Sequence, residues 1–285
     1  MQRITSKDNE LIKHIKKLKD KKYRDESKEY IIEGIKLIEE AIKEGANIKQ
    51  VVICEENEKT NAITKNLMYE ISKYDCVYVT KQVFNSITQV VAPQGIFAIV
   101  SKTFWDEPVF GDGLKKHQQD KIGETSQTLK VDYGQDIIVA LDDIQDPGNL
   151  GTILRTIDSC GLKQILVSKG TVDAYNPKVV RSTMGAIFRI NIVECDDLIK
   201  AIKEARKHHF KLLVTSLDSK STIYDVDYKK KIIVIGNEAN GVSKEIQDIA
   251  DEKVKIPMLG KTESLNASVA AGIVLYEYTR QKLNK

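Results

Sequence analysis

The sequence has no apolar run approaching the roughly 20 residues a membrane helix needs, and Met1-Gln2-Arg3 does not open a secretory signal. The expectation is a cytoplasmic protein with no membrane partner. Cys54, Cys76, Cys160 and Cys195 lie far apart, and none forms a C-x-x-C pair. His208-His209 has no cysteine or carboxylate at ligand spacing. This pattern predicts free thiols in a reducing compartment and no metal site. A large charge excess is missing too: 44 Lys and Arg face 41 Asp and Glu, for a net +3. Any surface for nucleic acid must therefore come from local clustering.

The common nucleotide and hydrolase signatures are also missing. No G-x-G-x-x-G follows a strand, and there is no G-x-x-x-x-G-K-[ST] and no G-x-S-x-G. Gly111-Asp112-Gly113 lacks a third glycine and sits in a polar stretch. Dinucleotide dehydrogenase, P-loop and α/β-hydrolase chemistry are thereby disfavoured.

What is present is an alternation of helical and strand patterns, with 41% hydrophobic residues to fill a core. Residues 1–30 carry a helical face marked by Ile12 and Ile15, among lysines that could be solvated or could meet phosphates. Ile31, Ile35, Ile38 and Ile42 predict an amphipathic helix over 29–43, closed by Gly45. Strands are expected at 48–54, 76–80 and 95–100, with helices at 60–73 and 81–87. These make residues 1–102 a small α/β domain. The polar, Gly-rich stretch 103–135 reads as a linker or insertion. Beyond it, short apolar strands at 136–141, 164–168, 189–194, 211–216, 231–235 and 253–256 alternate with helices at 150–160, 177–186, 197–208, 243–250 and 269–282. That pattern predicts a parallel sheet covered on both faces over 136–285.

Three polar clusters fall just beyond strand ends, where α/β proteins bind ligands. They are DDIQDPGNLGTILR (142–155), GNEANG (236–241) and the stretch IPM…SLNAS within 256–268. Each has an ordinary explanation as a turn, a strand-to-helix connection or a helix N-cap. Their recurrence in one order after parallel strands is harder to explain that way.

Together they resemble the three motifs of the SpoU, or TrmH-like, RNA 2′-O-ribose methyltransferases of the SPOUT superfamily. The matches are Asn149 with Arg155, Ile235–Glu238, and Ile256–Met258 with Ser264–Ala270. YIIEGIKLIEEAI (30–42) resembles that family's N-terminal substrate-binding domain, which is L30e-like. The resemblance implies a C-terminal SPOUT domain with a deep trefoil knot, a smaller L30e-like α/β domain, and S-adenosylmethionine as cofactor. It assigns the cofactor to Thr215, Ser216, Leu217, Gly236, Ile256, Met258 and Leu265. It assigns the reaction to Arg155, Asn149, Glu238, Ser264 and Asn266. Arginine's pKa makes it a poor base, so Arg155 is assigned phosphate binding and stabilisation of the developing alkoxide, with a role as phosphate-assisted base left open. Asn149 and Asn266 would orient the ribose and Arg155, Ser264 would donate a hydrogen bond, and Glu238 would hold the loop or pair with a cation. The substrate implied is 23S ribosomal RNA, with transfer RNA as the alternative. A non-catalytic RNA- or ribosome-binding factor retaining the fold, and a base-methylating relative, also stay open. The apolar last helix is open to pure core packing, while the resemblance implies a homodimer through that helix and the knot region.

Overall fold

The computed structural model describes residues 2–58, 63–102 and 136–284. The stretch 103–135 and the start of the helix expected at 60–73 lie outside the described residues. The chain forms two compact units, one of 2–102 with 173–189 and one of 136–172 with 190–284.

The first unit contains, in chain order, β1 (Gln2–Ile4), α1 (Glu10–Lys17), α2 (Lys21–Ser27), β2 (Glu29–Glu33), α3 (Ile35–Lys43), β3 (Ile48–Cys54), α4 (Glu55–Glu58), α5 (Lys65–Ile71), β4 (Cys76–Val79), α6 (Lys81–Ile87) and β5 (Ile96–Ser101). Its sheet order is β1-β4-β3-β5-β2, with β5 antiparallel to both neighbours. The single helix expected at 29–43 is therefore a strand followed by a shorter helix. Tyr30, Ile31 and Ile32 are all buried, as in a strand covered on both faces, and Gly34 at φ +108° cannot continue a right-handed helix. Neighbouring side chains along the strands divide between two cores. Ile31 and Val52 join Ile12, Ile15 and Phe84 on one face, while Ile32 and Val51 join Ile38, Leu67 and Val180 on the other.

Val180 comes from the segment 173–189, which enters this unit as α8 (Pro177–Ser182) and a short 3₁₀ turn, Ala186–Phe188. The helix expected over 177–186 ends early, where Met184 and Gly185 turn left-handed. Arg24 anchors the segment. Its guanidinium is buried, donates to the Leu18 carbonyl and meets Asp173 at 2.6 Å. Removing one partner of such a buried pair costs about 3–5 kcal/mol. Tyr175 stacks against Tyr30 with ring centroids 4.8 Å apart, and the Lys102 ammonium lies over the Tyr175 ring.

The second unit contains β6 (Ile137–Asp142), α7 (Pro147–Ser159), β7 (Gln164–Ser168), β8 (Asn191–Cys195), α9 (Leu198–Lys207), β9 (Lys211–Thr215), β10 (Lys231–Gly236), α10 (Lys244–Asp248), β11 (Glu252–Val254) and α11 (Ala267–Leu283). Its six strands, ordered β11-β9-β10-β6-β7-β8, are all parallel. Continuous runs such as Ile232–Ile235 are buried because helices cover both faces. Strand ends differ from the sequence expectation by one to three residues, and so does the start of α7. Asp146 caps that helix and Pro147 occupies its first turn, where a missing N–H costs nothing, so it begins three residues before Leu150. Among the described residues, no helix is long and apolar enough to cross a membrane.

Candidate active site

The site is assembled at the C-terminal ends of β6, β9 and β10. Asp146, the α7 cap, accepts the Asn149 amide at 2.8 Å, which fixes Asn149 in the first helical turn. The loop after β10 folds back on itself, with Asn237 and Gly241 exchanging two backbone hydrogen bonds of 2.9 Å. A Cβ on Gly236 would stand 2.1 Å from the Gly241 carbonyl carbon, so no other residue fits there. Asn237 pins the loop by donating to the Asp143 carbonyl at 2.8 Å, while its own side-chain oxygen accepts the Ala239 and Asn240 amides.

Glu238 is thereby held against the start of α7. Its carboxylate accepts the Gln145 and Asp146 amides at 3.1 Å each and the Asn149 Nδ2 at 2.9 Å. Burial would raise this carboxyl, but the hydrogen bonds from Asn149, Gln145 and Asp146 outweigh it and hold it below the ordinary value. A carboxylate at a helix N-terminus also meets the positive end of the helix dipole. From the other side, Asn266 Nδ2 donates to Asn149 Oδ1 at 2.9 Å. The Asn266 oxygen caps α11, accepting the Ser268 amide and hydroxyl and the Val269 amide. Glu238, Asn149 and Asn266, far apart in sequence, form one hydrogen-bonded chain.

Beside this chain lies a cavity of about 370 Å³. Thr215, Ser216, Leu217, Gly236, Ile256, Met258 and Leu265 all line it, as do Glu238 and Ser264. Ile235, Val254 and Ala270 extend its apolar wall, and Asp218 and Glu263 bring carboxylates to it. Asn149, Asn266 and Arg155 do not line it. Arg155, two turns into α7, is exposed, and no hydrogen bond or ion pair engages it among the described residues. Ser264 is likewise exposed and unpaired among them.

Sequence reasoning gave no role to Asn237, Asp146 or Gln145. Their signal was available in part, because an Asn directly after a strand, or an Asp before Pro, predicts a side chain that closes its own turn. That Glu238 would receive the Gln145 and Asp146 amides has no local signal.

Residues 136–276 match the SpoU rRNA Methylase family, and residues 9–98 match the MRM3-like substrate binding domain. The chain is 28% identical to the Bacillus subtilis 23S rRNA (guanosine(2553)-2′-O)-methyltransferase RlmP, covering 97% of this chain and 98% of that protein. It is 32% identical to an uncharacterized tRNA/rRNA methyltransferase of Mycoplasma genitalium, covering 86% of this chain and 95% of the other. Among solved structures, an AdoMet-bound rRNA methyltransferase from Sinorhizobium meliloti superposes with a TM-score of 0.78 at 29% identity, covering 98% of both chains.

Proposed function

The chain belongs to the SpoU/TrmH family of RNA methyltransferases, 2′-O-ribose methylating enzymes that use S-adenosylmethionine, and from that premise we propose that its substrate is 23S ribosomal RNA. The rRNA assignment is supported by similarity to the Bacillus subtilis enzyme along nearly the whole of both chains, substrate-binding domain included. The observation that carries the catalytic reading is the contrast at the site. Glu238, Asn149 and Asn266 are hydrogen-bonded to one another beside a cavity, while no hydrogen bond or ion pair engages Arg155 among the described residues.

The cavity residues suit S-adenosylmethionine. Ile235, Val254, Ile256 and Leu265 offer an apolar slot for adenine, and the bare main chain at Gly236 allows close approach. Asp218 and Glu263 supply negative charge for a cationic ligand. When bound, the cofactor supplies an activated sulfonium methyl group. The remaining work is to position a ribose 2′-hydroxyl and favour loss of its proton. Arg155 binds a substrate phosphate and stabilises the negative charge that develops on the 2′-oxygen. Ser264 donates a hydrogen bond at the cavity rim. Asn149 and Asn266 spend their amide groups on each other, on Glu238 and on the α11 cap, so they act by holding the loops in register.

The route of the chain supports a knotted C-terminus. Chain leaving β11, at one edge of the sheet, returns to reach α7 through the Asn266–Asn149 bond. For the dimer, α11 packs Ala271, Val274, Leu275 and Tyr278 inward and leaves Val269 and Tyr276 about half exposed. We assign that outer face to a second copy of the chain. Light scattering of the purified protein should give twice the chain mass, and a monodisperse monomer would rule the dimer out.

The decisive experiment supplies radiolabelled S-adenosylmethionine and the enzyme to total RNA from a strain lacking the gene. The large ribosomal RNA fraction should take up label, recovered in alkali-resistant dinucleotides because a methylated 2′-oxygen cannot attack its phosphate. Label in transfer RNA would move the substrate, and label in free bases would refute ribose methylation.

A further inference from the structure

The first unit holds a second cavity, of about 630 Å³, within the 300–1,000 Å³ usual for ligand sites. It forms where the segment 173–189 lies along the start of α3, and its walls come from Glu33, Gly34, Leu37, Gln94, Arg181 and Met184. Two glycines in left-handed backbone fit tightly. A Cβ on Gly34 would stand 3.0 Å from Gln94 Oε1, which itself accepts the Ile35 amide at 2.8 Å. A Cβ on Gly185 would stand 3.0 Å from the Glu40 side chain.

Three features inside it point to a ligand. Arg181 is half-buried, yet no hydrogen bond or ion pair engages its guanidinium among the described residues. The acids around it are largely committed. Glu33 accepts the Thr88 hydroxyl at 2.5 Å, and Glu40 pairs with Arg189 at 2.5 Å; Glu39 is out in solvent. Burial raises the Glu33 carboxyl, against the hydrogen bonds from Thr88 and Gln89 and the nearby positive charge of Arg181. Finally, Met184 adopts φ +52° with about half its surface exposed. Left-handed backbone is costly for a long side chain, and folding would be better served there by Gly or Asn. A thioether kept at a cavity mouth at that cost is available to cover a flat apolar face.

We propose that this cavity receives one unpaired nucleotide of the substrate RNA, its base against Met184 and Leu37 and its acceptor edge on Arg181. The inference rests on the RNA methyltransferase reading above. RNA is read in sequence chiefly through unstacked bases that lie on side-chain planes and hydrogen-bond along their edges. A guanidinium whose paired donors make no hydrogen bond among the described residues matches the O6 and N7 acceptors of guanine best, so guanine is the base assigned. The pocket is a recognition element, and Arg181 and Met184 bind RNA without entering the methyl transfer.

The test uses the full chain with ¹³C-labelled methionine methyls, and large ribosomal RNA from a strain lacking the gene. Guanosine monophosphate should shift the Met184 methyl resonance, cytidine monophosphate should not, and Arg181→Ala should abolish the shift. In turnover, Arg181→Ala should raise KM for RNA about tenfold or more, the usual weight of a base-reading arginine, with kcat and cofactor affinity within about threefold. Met184→Gly should also raise KM while melting no lower than the wild type, which separates binding from folding. Equal shifts with both nucleotides, or an unchanged KM in both variants, would overturn the proposal. If the wild type methylates no RNA at all, the methyltransferase reading fails. The nucleotide titration still reports on the pocket by itself.

Discussion

Two parts of the candidate active site spend their polar groups in opposite ways. In the brace, from Gln145 to Asn149, Asn237 to Gly241 and Asn266 to Val269, nearly every named side-chain oxygen and amide is used internally. Arg155 on α7 and Ser264 in the cavity wall instead stand exposed with none of their donors engaged among the described residues. A saturated group fixes shape and has little left to offer a substrate; a free one contributes nothing to folding and can give everything to binding or reaction. On the proposed reading, the contrast separates residues that position from residues that act, although sequence motifs group them together.

The comparison breaks if the two classes respond alike to mutation. Arg155→Ala should lower kcat about 10²–10³-fold, as for loss of a donor to a developing oxyanion, with melting temperature and cofactor affinity nearly unchanged. Single-turnover methyl transfer and a thermal melt measure both. Gly236→Ala should do the reverse. Its methyl group collides with the Gly241 main chain, so stability should fall by about 2–3 kcal/mol and the cofactor should bind poorly. Calorimetric unfolding and titration read that pair of effects. Asn149→Ala strips one donor from Glu238 and the acceptor from Asn266, costing about 1–3 kcal/mol and loosening the cofactor loop. Its defect should appear in cofactor affinity before kcat.

The smallest effect tests the charge on Glu238. Because its folded pKa is depressed, its contribution to stability is present above the unfolded value, about 4.5 or a little lower, and is lost as pH falls through the folded value. Glu238→Gln should be less stable near neutral pH, since an amide cannot accept from three donors equally well, and the gap should narrow below about pH 4. Melting temperatures of both proteins between pH 3 and 7 would show it, and a constant gap would count against a charge-dependent brace.

The parallel sheet was legible in the sequence because fully buried strands leave continuous apolar runs, as in Ile232–Ile235. β2 was not, since isoleucines at 31, 35, 38 and 42 satisfy a helical period that tertiary pairing with β5 and the turn at Gly34 override. The start of α7 was hidden for a different reason. Pro147-Gly148 is a turn signal by composition, and only the Asp146 cap makes it the first turn of a helix. Within the site, motif spacing pointed to Asn149, Glu238 and Asn266 but not to the bonds joining them. Those bonds span 89 and 117 residues and depend on strand order. The entry of 173–189 into the first unit had no local signal either. Its anchors include the Arg24–Asp173 and Arg189–Glu40 ion pairs, the ring of Tyr175 and the side chain of Val180, each ordinary in its own surroundings.

That entry has a consequence for how the protein is made. Until residues 173–189 have left the ribosome, Arg24 has no Asp173 to meet and Tyr30 no Tyr175 to lie against. Residues 2–102 must therefore wait, with part of their core uncovered, through the synthesis of β6, α7 and β7. Translation pauses or chaperone contacts before that point should fall on an unfinished first unit, whereas a pause once residue 189 has left the ribosome would find it complete.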